Sequence, residues 1–555
     1  MEKWDRNDLV DFRRAVFVDR GGILKPFNSD GNFDLAAKGG GLRRTAVRGA
    51  GAAISGQTAN FVLSMGSVSV LGRLLSPADF GVVTMVTTFG LLFRSFGFTG
   101  FTELIVQRDG LTDSLASNLF WIELAVGTFL TVVFASAGPL MARFYNLETV
   151  AHVAVGISPM IFLGCVGWIH LGLLQRAGDF KATALINFAG QVALVVVSIT
   201  LAIAGWHYWA LVSGIVAQSA VTAVGAWLVC RWIPCWPGRV TGTRSGLQFA
   251  GSVYSHYAFN YLTRNTDNLL VGWRYGARML GFYKKAYDLF VLPESQLLSP
   301  LSMVVVSTLS RVREDREQFE RYFLGAISVL ALVGMGIGAD FALVGKDIIR
   351  LLLGPGWDEA GRIFALFGPG IGAMLLYNTH GWIHLSIGRP ERWFFWGLIE
   401  FFCTASLFLL TLRWGPSGVA CAWTVSFFLL MLPGFWYAGK PIELGLGSII
   451  GAIWKFFVAS AVAGCVTAFI IRSIHRLATP STAAIALVRI LFISSVYFTL
   501  YVGSVIVLHR GLKPFDETIG LLQELLPNRI SKSTISNAAD MGRSETAPSL
   551  DSRTK

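Results

Sequence analysis

The chain contains 555 residues, of which 53% are hydrophobic and only 14% are charged, and its net charge is +12. Soluble globular proteins carry about 25% charged residues, so this chain has too little polar surface to cover a water-soluble particle. The composition therefore excludes a soluble enzyme, a secreted disulfide scaffold and a nucleic-acid-binding protein, and it indicates a polytopic membrane protein.

The first 48 residues mix charged residues with glycines and contain no apolar stretch of the kind found in a signal peptide. Ten of the 46 lysines and arginines of the chain lie in this segment. We therefore predict a basic amino-terminal extension, 1–48, that is not cleaved and stays in the cytoplasm.

Fourteen stretches after this extension are apolar over the roughly 20 residues that a helix needs to cross the hydrocarbon core. The uncharged run from Ala182 to Cys230 accommodates two of them, because Gly205 and the aromatic residues after it supply a turn. The sequence predicts an all-α membrane protein with the spans 50–72, 80–102, 117–142, 152–174, 182–204, 208–230, 246–271, 287–308, 322–344, 362–387, 393–412, 417–438, 446–471 and 485–508.

The distribution of lysine and arginine predicts the topology, because these residues are retained on the cytoplasmic side during insertion. The two tails and the inner loops hold about 30 of the 46, whereas the outer loops hold about 12. We therefore predict that both termini lie in the cytoplasm. We also predict a partly disordered tail at 509–555. The longest predicted outer loops are 272–286 and 345–361.

Two sequence segments recur in the second half of the chain. The pentapeptide GWIHL at Gly167–Leu171 returns at Gly381–Leu385, and Leu71–Gly81 is more weakly echoed by Val271–Gly281. Spans that are six apart have the same orientation, so the repeat is parallel. We predict two six-helix lobes, 49–235 and 245–440, related by a pseudo-two-fold axis along the membrane normal that places Trp168 over Trp382, and two additional spans in 444–508. Convergent aromatic residues at helix ends are the alternative explanation of the pentapeptide.

Five motifs in this order resemble a known family: Arg73–Gly81 (RLLSPADFG), Val106–Thr112 (VQRDGLT), Asn265–Asn268 (NTDN), Leu280–Ala286 (LGFYKKA) and Leu309–Arg311 (LSR). Over roughly residues 45–440 the chain is similar to the Wzx-like polysaccharide exporters, such as colanic acid exporters, of the multidrug/oligosaccharidyl-lipid/polysaccharide (MOP) superfamily.

This resemblance implies fourteen spans, two lobes and the flipping of an undecaprenyl-diphosphate-linked oligosaccharide from the cytoplasmic to the periplasmic leaflet. The protein would reside in the bacterial inner membrane, and the product would serve the biosynthesis of a surface exopolysaccharide or lipopolysaccharide. The long amino-terminal extension and the Ser/Thr-rich carboxyl-terminal tail depart from the family pattern.

Charged residues inside membrane helices are costly and normally line a pathway or pair with one another. With a helix rise of about 1.5 Å per residue, Arg94, Glu123 and Glu400 lie in a layer near the inner side, where Arg94 and Glu123 can pair. Such a layer suggests a gate closed by ion pairs between the lobes, and static pairing within one lobe is the alternative. A second layer of the same kind, nearer the outer side, holds Arg264, Asp267, Glu294 and Asp340.

The predicted seventh span is unusually polar, so we expect it to border a water-filled cavity. His256 and Asn260, one helical turn apart on this span, are candidates for hydrogen bonds to sugar hydroxyls or, equally, to neighbouring helices. Guanidinium groups bind phosphate bidentately, which makes Arg94 the first and Arg264 the second candidate for holding a diphosphate. Asp267 and Glu400 are candidate carriers of a coupling cation, H⁺ or Na⁺, which would supply the energy.

The sequence contains no motif for phosphate-binding loops, zinc sites or nucleophilic catalysis, so we expect no enzymatic activity, no cofactor and no metal site. The expected partners are the polyprenyl-diphosphate oligosaccharide, the coupling ion, membrane lipid, and polymerase and export proteins, but no nucleic acid. Two other functions remain open. A small-molecule or drug antiporter of the same architecture would prefer acidic groups in its cavity, and a membrane polysaccharide polymerase or ligase would carry a large outer loop.

Overall fold

The structure, a computed structural model, describes residues 26–33, 42–108, 110–238, 243–473, 483–512, 514–516 and 520. Within these ranges eleven helical segments are long and apolar enough to cross a membrane, and β-structure is limited to two isolated bridges. The predicted all-α polytopic membrane fold is thereby confirmed. The count of fourteen spans stays a prediction, because two of the eleven segments, Arg264–Arg311 and Glu391–Ile442, are 48 and 52 residues long and exceed a single crossing.

The helices of the described ranges are named in chain order, with α1–α9 called the N half and α10–α16 called the C half. Their bounds are α1 Leu42–Leu74, α2 Pro77–Gly97, α3 Glu103–Gln107, α4 Asp113–Ser136, α5 Gly138–Tyr145, α6 Thr149–Ile157, α7 Pro159–Arg176, α8 Phe180–Ile203, α9 Tyr208–Val229, α10 Thr243–Phe290, α11 Ser299–Arg311, α12 Arg316–Leu353, α13 Asp358–Asn378, α14 His380–Ser386, α15 Pro390–Thr411, α16 Gly415–Gly439, α17 Leu446–Ser473 and α18 Ala483–His509.

The helical form follows from the solvent, because a backbone inside hydrocarbon must satisfy its own hydrogen bonds. Polar residues set where several helices begin. Thr112, Asp179 and Asp315 accept hydrogen bonds at 3.0–3.3 Å from the backbone N–H three residues on, which caps α4, α8 and α12. Proline occupies a first-turn position of α7, α15 and α16, where its missing N–H costs nothing.

The prediction of long outer loops at 272–286 and 345–361 is wrong. Residues 272–286 belong to α10, which is interrupted only at Gly276 (φ 76°), and α12 continues to Leu353. Hydropathy marks only the apolar part of a helix, whereas hydrogen bonding continues into the polar region beyond it. With 38 residues, α12 is about 57 Å long, well beyond the hydrocarbon thickness of about 30 Å.

The chain connections repeat between the two halves. Three connections of the N half contain a residue with positive φ, and in each case the residue 210 positions later in the C half also has positive φ. The three pairs are Asn146 and Gly356, Gly178 and Gly388, and Gly205 and Gly415. The turn between α1 and α2 at Ser76 recurs as the break at Gly276, at an offset of 200. The repeated elements follow one another in the same order, which agrees with the predicted parallel repeat. The lobe bounds 49–235 and 245–440 stay a prediction.

The repeated pentapeptide is one helical turn out of register with this structural repeat. Its two copies, Gly167–Leu171 and Gly381–Leu385, are related by an offset of 214, whereas the turns that follow them are related by an offset of 210. The difference of four residues is about one turn of helix. The prediction that Trp168 and Trp382 occupy equivalent positions is therefore wrong, because the equivalent of Trp168 at an offset of 210 is Asn378.

At one end of the helix bundle the two halves meet through a reciprocal contact. Gly81 of α2 lies against the backbone of Ala277 in α10, and Gly281 of α10 lies against the backbone of Pro77 in α2. Both members of the second contact are the repeat partners of the first at the same offset of 200, so each half presents the same surface to the other, as at a two-fold interface. A Cβ at either glycine would overlap a backbone carbonyl.

The connection before α13 adds further contacts between the halves at this end. The indole Nε1 of Trp357 donates to the carbonyl of Gly72 at 2.8 Å, and the hydroxyl of Ser69 donates to the carbonyl of Leu352 at 2.7 Å. The ring of Phe80 packs edge-on against Trp357 at 5.6 Å. We call this the sealed end of the molecule.

The helices α17 and α18 pack against α12 through polar contacts. Arg489 of α18 and Asp347 of α12 form a buried ion pair at 3.2 Å, and the hydroxyl of Tyr501 donates to the carbonyl of Leu332 at 2.8 Å. A buried charge is tolerated only when it is paired, so the ion pair fixes which face of α18 meets α12.

Part of the amino-terminal extension packs on the N half, at the end opposite the sealed end. Residues 26–33 form a short hairpin in which Phe27 and Phe33 are bridge partners. Phe27 contacts the ring of Trp232 at 6.1 Å, and the guanidinium of Arg176 lies over the ring of Phe33 at 4.9 Å.

We predict that Gly81→Val and Gly281→Val each destabilise the protein. The added side chain would meet backbone atoms of the opposite half, which cannot move aside as a side chain can, so we expect a loss of about 1–3 kcal/mol in the free energy of unfolding. The measurement is the unfolding temperature of the detergent-purified protein.

Gly503→Val is the matched control, because Gly503 lies in α18 and a Cβ there meets nothing within 4 Å. Equal unfolding temperatures for Gly81→Val, Gly281→Val and Gly503→Val would contradict the close approach of α2 and α10.

Candidate functional site

Two cavities of more than 600 Å³ lie within the described part of the structure, one mainly in each half. The N cavity has a volume of about 690 Å³ and is lined by α1, α2, α7, α8 and α9, with contributions from α10 and the segment after it. The C cavity has a volume of about 790 Å³ and is lined mainly by α10, the π-helical turn Glu294–Leu298, α11, α14 and α15. Leu91 of α2 lines both.

The two cavities are formed by equivalent positions of the repeat. Each of the following pairs contributes one residue to the N cavity and its repeat partner to the C cavity. With an offset of 200 these are Phe61 and Tyr261, Ser64 and Arg264, Met65 and Asn265, Leu91 and Val291, Arg94 and Glu294, and Ser95 and Ser295; with an offset of 210 they are Trp168 and Asn378, Leu171 and Gly381, Gln175 and Leu385, Thr183 and Trp393, and Asn187 and Gly397.

Arg94 is the one charged residue among the described residues that line the N cavity. Its guanidinium lies over the ring of Trp168 at 5.7 Å, and within the described ranges no carboxylate approaches it to ion-pair distance. The repeat explains the difference from the other cavity. Arg94 occupies the position of Glu294, and the position of the partner Arg264 is taken by Ser64.

The predicted pair of Arg94 and Glu123 is not formed. Glu123 is 1% exposed, its two carboxylate oxygens have no hydrogen-bond partner among the described residues, and it lines neither cavity. The prediction rested on the similar depth of the two residues in the membrane, but Glu123 lies on a face of α4 that is turned to the protein interior rather than to the cavity.

The C cavity brings together three of the predicted site residues. Arg264 and Glu294 form an ion pair, with Nη1 of the arginine 3.2 Å from both carboxylate oxygens. Glu400 lines the same cavity and accepts a hydrogen bond at 2.9 Å from the hydroxyl of Tyr377, which in turn accepts one at 2.8 Å from Nε1 of Trp396. The predicted separation of Glu400 from the layer that holds Arg264 and Glu294 is therefore wrong.

No ion pair between the two halves is present in the described part of the chain, where all eight ion pairs join residues within 264–489. The pair of Arg264 and Glu294 connects α10 with the turn that follows it, within one half. In this conformation the structure therefore corresponds to static pairing within a lobe, the alternative to a gate of ion pairs between lobes.

Asp267 lies one turn beyond Arg264 but faces the interior of the C half. It is fully buried, and its carboxylate accepts three hydrogen bonds: from the hydroxyl of Tyr283 at 2.7 Å, from Nε1 of Trp423 at 2.9 Å and from the backbone N–H of Asn268 at 2.7 Å. These donors come from different parts of the C half, so Asp267 holds α10 against α16.

Asp340 lies apart from the other predicted residues of the outer layer. It faces α18, where the hydroxyl of Ser494 donates to its carboxylate at 3.1 Å, and it lines neither cavity. Its contacts belong to the packing of α12 against α18.

The side chains of His256 and Asn260 lie outside the described residues. On the same helix, Tyr257 lines the N cavity, and Tyr261 and Asn265 line the C cavity. The polar first part of α10 thus borders both cavities, in agreement with the prediction for the seventh span.

Two groups of cavity residues were missed in the sequence. Lys284 lines the C cavity and pairs with Asp288 at 2.8 Å, but the predicted eighth span began after it. The N cavity is lined by amide and hydroxyl side chains, which a search limited to ionisable residues overlooks. Their spacing of four residues in an apolar helix was the available signal: Thr183, Asn187 and Gln191 on α8, and Gln218 and Thr222 on α9.

The chain is similar to known polysaccharide biosynthesis proteins. A family described as "Polysaccharide biosynthesis protein" matches residues 70–362. The chain is 25% identical over 381 residues to the teichuronic acid biosynthesis protein TuaB of Bacillus subtilis (strain 168), covering 66% of this chain and 77% of TuaB. It is 22% identical over 358 residues to the succinoglycan biosynthesis transport protein ExoT of Rhizobium meliloti (strain 1021), covering 64% and 72% of the two chains.

Among solved structures, the lipid II flippase MurJ in an inward closed conformation is similar with a TM-score of 0.66 at 15% identity, covering 82% of this chain and 99% of MurJ. An inward-facing multidrug resistance MATE family transporter of the MOP superfamily is similar with a TM-score of 0.57 at 13% identity, covering 69% and 94% of the two chains. At these identities the similarity shows a shared fold.

We predict that Asp267→Asn lowers the free energy of unfolding by about 1–3 kcal/mol, because the amide nitrogen would face donors that now point at a carboxylate. The measurement is again the unfolding temperature of the purified protein. Glu294→Gln is the control. Its ion pair with Arg264, whose side chain is 46% exposed, should contribute less than about 1 kcal/mol. An Asp267→Asn protein that is as stable as the wild type would contradict the structural role of this carboxylate.

Proposed function

The chain belongs to the polysaccharide biosynthesis protein family, and we propose that it flips an undecaprenyl-diphosphate-linked oligosaccharide across the bacterial inner membrane for the assembly of a surface exopolysaccharide or lipopolysaccharide. The relatives named for polysaccharide biosynthesis and transport support this proposal, as does the fold shared with a lipid II flippase. The protein would act as a transporter and not as an enzyme, alongside polymerase and export proteins.

The observation that carries the proposal is the position of Arg94. It is a cation in the wall of a membrane cavity, with no carboxylate at ion-pair distance in the described part of the chain. Such a charge is costly unless water, a partner or a substrate anion is present. A diphosphate carries the complementary charge and matches the planar donor geometry of a guanidinium.

Arg264 is the second candidate for the diphosphate, but in this conformation Glu294 occupies its guanidinium. A diphosphate that reached the C cavity would have to displace this carboxylate. We therefore assign the first contact with the substrate to the N cavity and a later contact to Arg264.

Movement of the substrate requires that the two halves separate at the sealed end and close at the other. Within the described residues the halves meet at the sealed end through hydrogen bonds, glycine packing and the ammonium of Lys285 over the ring of Phe80, and no ion pair joins them. Lys285 keeps its partner Asp288 within the C half, so opening leaves no buried charge without a partner. We propose that a coupling cation, H⁺ or Na⁺, drives this alternation. Glu400 is a better-placed carrier than Asp267, because it lines the C cavity whereas Asp267 is enclosed by three donors.

The lining of the N cavity disfavours the drug antiporter, since within the described residues this lining contains no acidic side chain to receive an organic cation. A polymerase or ligase is disfavoured because the segments predicted as its longest outer loops are helical. The direct test of the proposal is to measure, in liposomes that contain the purified protein, translocation of the lipid-linked oligosaccharide extracted from a strain that lacks the gene. Proteoliposomes no faster than protein-free liposomes would refute it.

We predict that Arg94→Ala abolishes this translocation, whereas Arg94→Lys only reduces it, about tenfold, with normal membrane insertion in both. Lysine retains the positive charge but cannot offer two parallel N–H donors to a phosphate. Initial rates in proteoliposomes, normalised to the inserted protein, measure the effect.

The double variant Arg94→Gln, Glu123→Gln separates substrate binding from charge neutralisation. The two side chains do not pair in the structure, so we expect the double variant to be as inactive as Arg94→Ala. Recovery of transport in the double variant would reject the substrate role of Arg94.

We predict that the sealed end faces the periplasm and that both termini are cytoplasmic. In a variant without native cysteines, Pro355→Cys at the sealed end should react with a membrane-impermeant maleimide in intact spheroplasts. Glu314→Cys, in the connection between α11 and α12 at the opposite end, should react only after permeabilisation. Both positions are exposed, so accessibility depends on the side of the membrane. The reverse labelling pattern would contradict this topology.

A further inference from the structure

We propose that the N cavity contains a binding subsite for the uncharged sugars of the substrate, formed by a polar stripe on α8 and α9. This inference rests on the proposed function and specifies which part of the substrate each group binds. The polar stripe consists of Thr183, Asn187 and Gln191 on α8 and Gln218 and Thr222 on α9.

The spacing within the polar stripe places its members on one face of each helix. Residues four apart are neighbours along a helix, so each helix presents one continuous line of polar groups to the cavity. The two lines are adjacent, because Nε2 of Gln218 donates to Oε1 of Gln191 at 3.1 Å. The opposite faces of α8 and α9 carry exposed apolar residues such as Val196 and Val224.

The repeat provides an internal control for this stripe. If the fold needed polar groups at these positions, the C half would carry them as well. At an offset of 210 the equivalents of the five stripe residues are instead apolar: Trp393, Gly397, Phe401, Phe428 and Leu432. The fold of the C half therefore forms without such polar groups, which indicates that the polar stripe of the N half has a role beyond the packing of α8 against α9.

The chemistry of the polar stripe points to a neutral, hydroxyl-rich ligand. Amide side chains carry both donors and acceptors, and so do sugar hydroxyls. An anion bound at the polar stripe would require cations there, and a cation would require carboxylates, but the five residues of the stripe are all uncharged. Asn60 of α1 lines the same cavity, and its buried Oδ1 has no hydrogen-bond partner among the described residues. This oxygen can accept a hydrogen bond from a sugar hydroxyl.

Arg94 and the polar stripe share one cavity of about 690 Å³, within the range of about 300–1,000 Å³ that is typical of ligand sites. In a lipid-linked oligosaccharide the first sugar is bonded directly to the diphosphate. A diphosphate at Arg94 therefore brings the sugars into the same cavity. The site thus separates recognition of the anion, by Arg94, from recognition of the sugars, by the amides.

The test compares binding of two ligands by the detergent-purified full-length protein: undecaprenyl diphosphate, and the lipid-linked oligosaccharide extracted from a strain that lacks the gene. The variant Asn187→Leu, Gln191→Met, Gln218→Met removes three amides with little change in volume. We expect its affinity for the glycolipid to fall at least tenfold, since one hydrogen bond corresponds to roughly threefold to tenfold. Its affinity for undecaprenyl diphosphate should stay within about twofold of the wild type.

Thr200→Val is the matched control, because Thr200 lies on α8, is exposed and does not line the cavity. If the triple variant does not purify as a monodisperse protein, Gln218→Met and Asn187→Leu are measured singly. Unchanged glycolipid binding, or an equal loss for both ligands, would overturn the sugar subsite. A wild-type protein that binds undecaprenyl diphosphate no less tightly than the glycolipid would do the same, and a wild-type protein that binds neither ligand would instead overturn the proposed function.

Discussion

The architecture depends on the close approach of α2 and α10 at Gly81 and Gly281, where each glycine meets the backbone of the opposite helix. Two helices can come this near only where side chains are absent, and small residues are what membrane helices use for close packing. Because the two contacts are related by the internal repeat, the halves face each other symmetrically about this point. The contact fixes the sealed end, and the N and C cavities lie on either side of it as equivalent spaces. A contact made of packing and hydrogen bonds can also open without exposing a buried charge.

The N and C cavities are formed by equivalent backbone positions but are lined by side chains of different charge and polarity. In the C cavity the repeat positions carry Arg264 and Glu294, which neutralise each other. In the N cavity the corresponding positions are Ser64 and Arg94, so a single cation remains available to a ligand. The amides of α8 and α9 increase this difference, since their counterparts in α15 and α16 are aromatic or apolar. The asymmetry between the two cavities thus arises from a few side-chain replacements in a symmetric fold.

The contacts of the charged residues could be predicted from sequence position only in part. Counting residues from a helix end gives depth, and by depth Arg94 and Glu123 belong together. In the described part of the structure these two residues form no ion pair. Depth along a helix contains no information on the direction in which a side chain leaves it, so depth alone could not predict this. The same limit explains Glu400, which lines the C cavity together with Arg264 and accepts a hydrogen bond from Tyr377. It also explains Asp267, which faces three donors in the interior although it is one turn from Arg264. The pentapeptide repeat shows a related limit. Sequence identity found the right helices, but the turns at Gly178 and Gly388 set the register.

By itself the sequence determined that this protein is a helical membrane protein with a parallel internal repeat, that it resembles polysaccharide exporters, and that Arg94 and Arg264 are cations within its helices. These properties follow from local physics: apolar length, turn residues and the cost of charge in hydrocarbon act within one segment at a time. Only the tertiary structure decided that Arg94 faces a cavity in which no carboxylate of the described residues pairs with it. It also decided that Arg264 is held by Glu294 and that amides from α8 and α9 converge on the same space as Arg94. These outcomes depend on which faces of distant helices meet, and that is a property of the packed bundle and of no single segment.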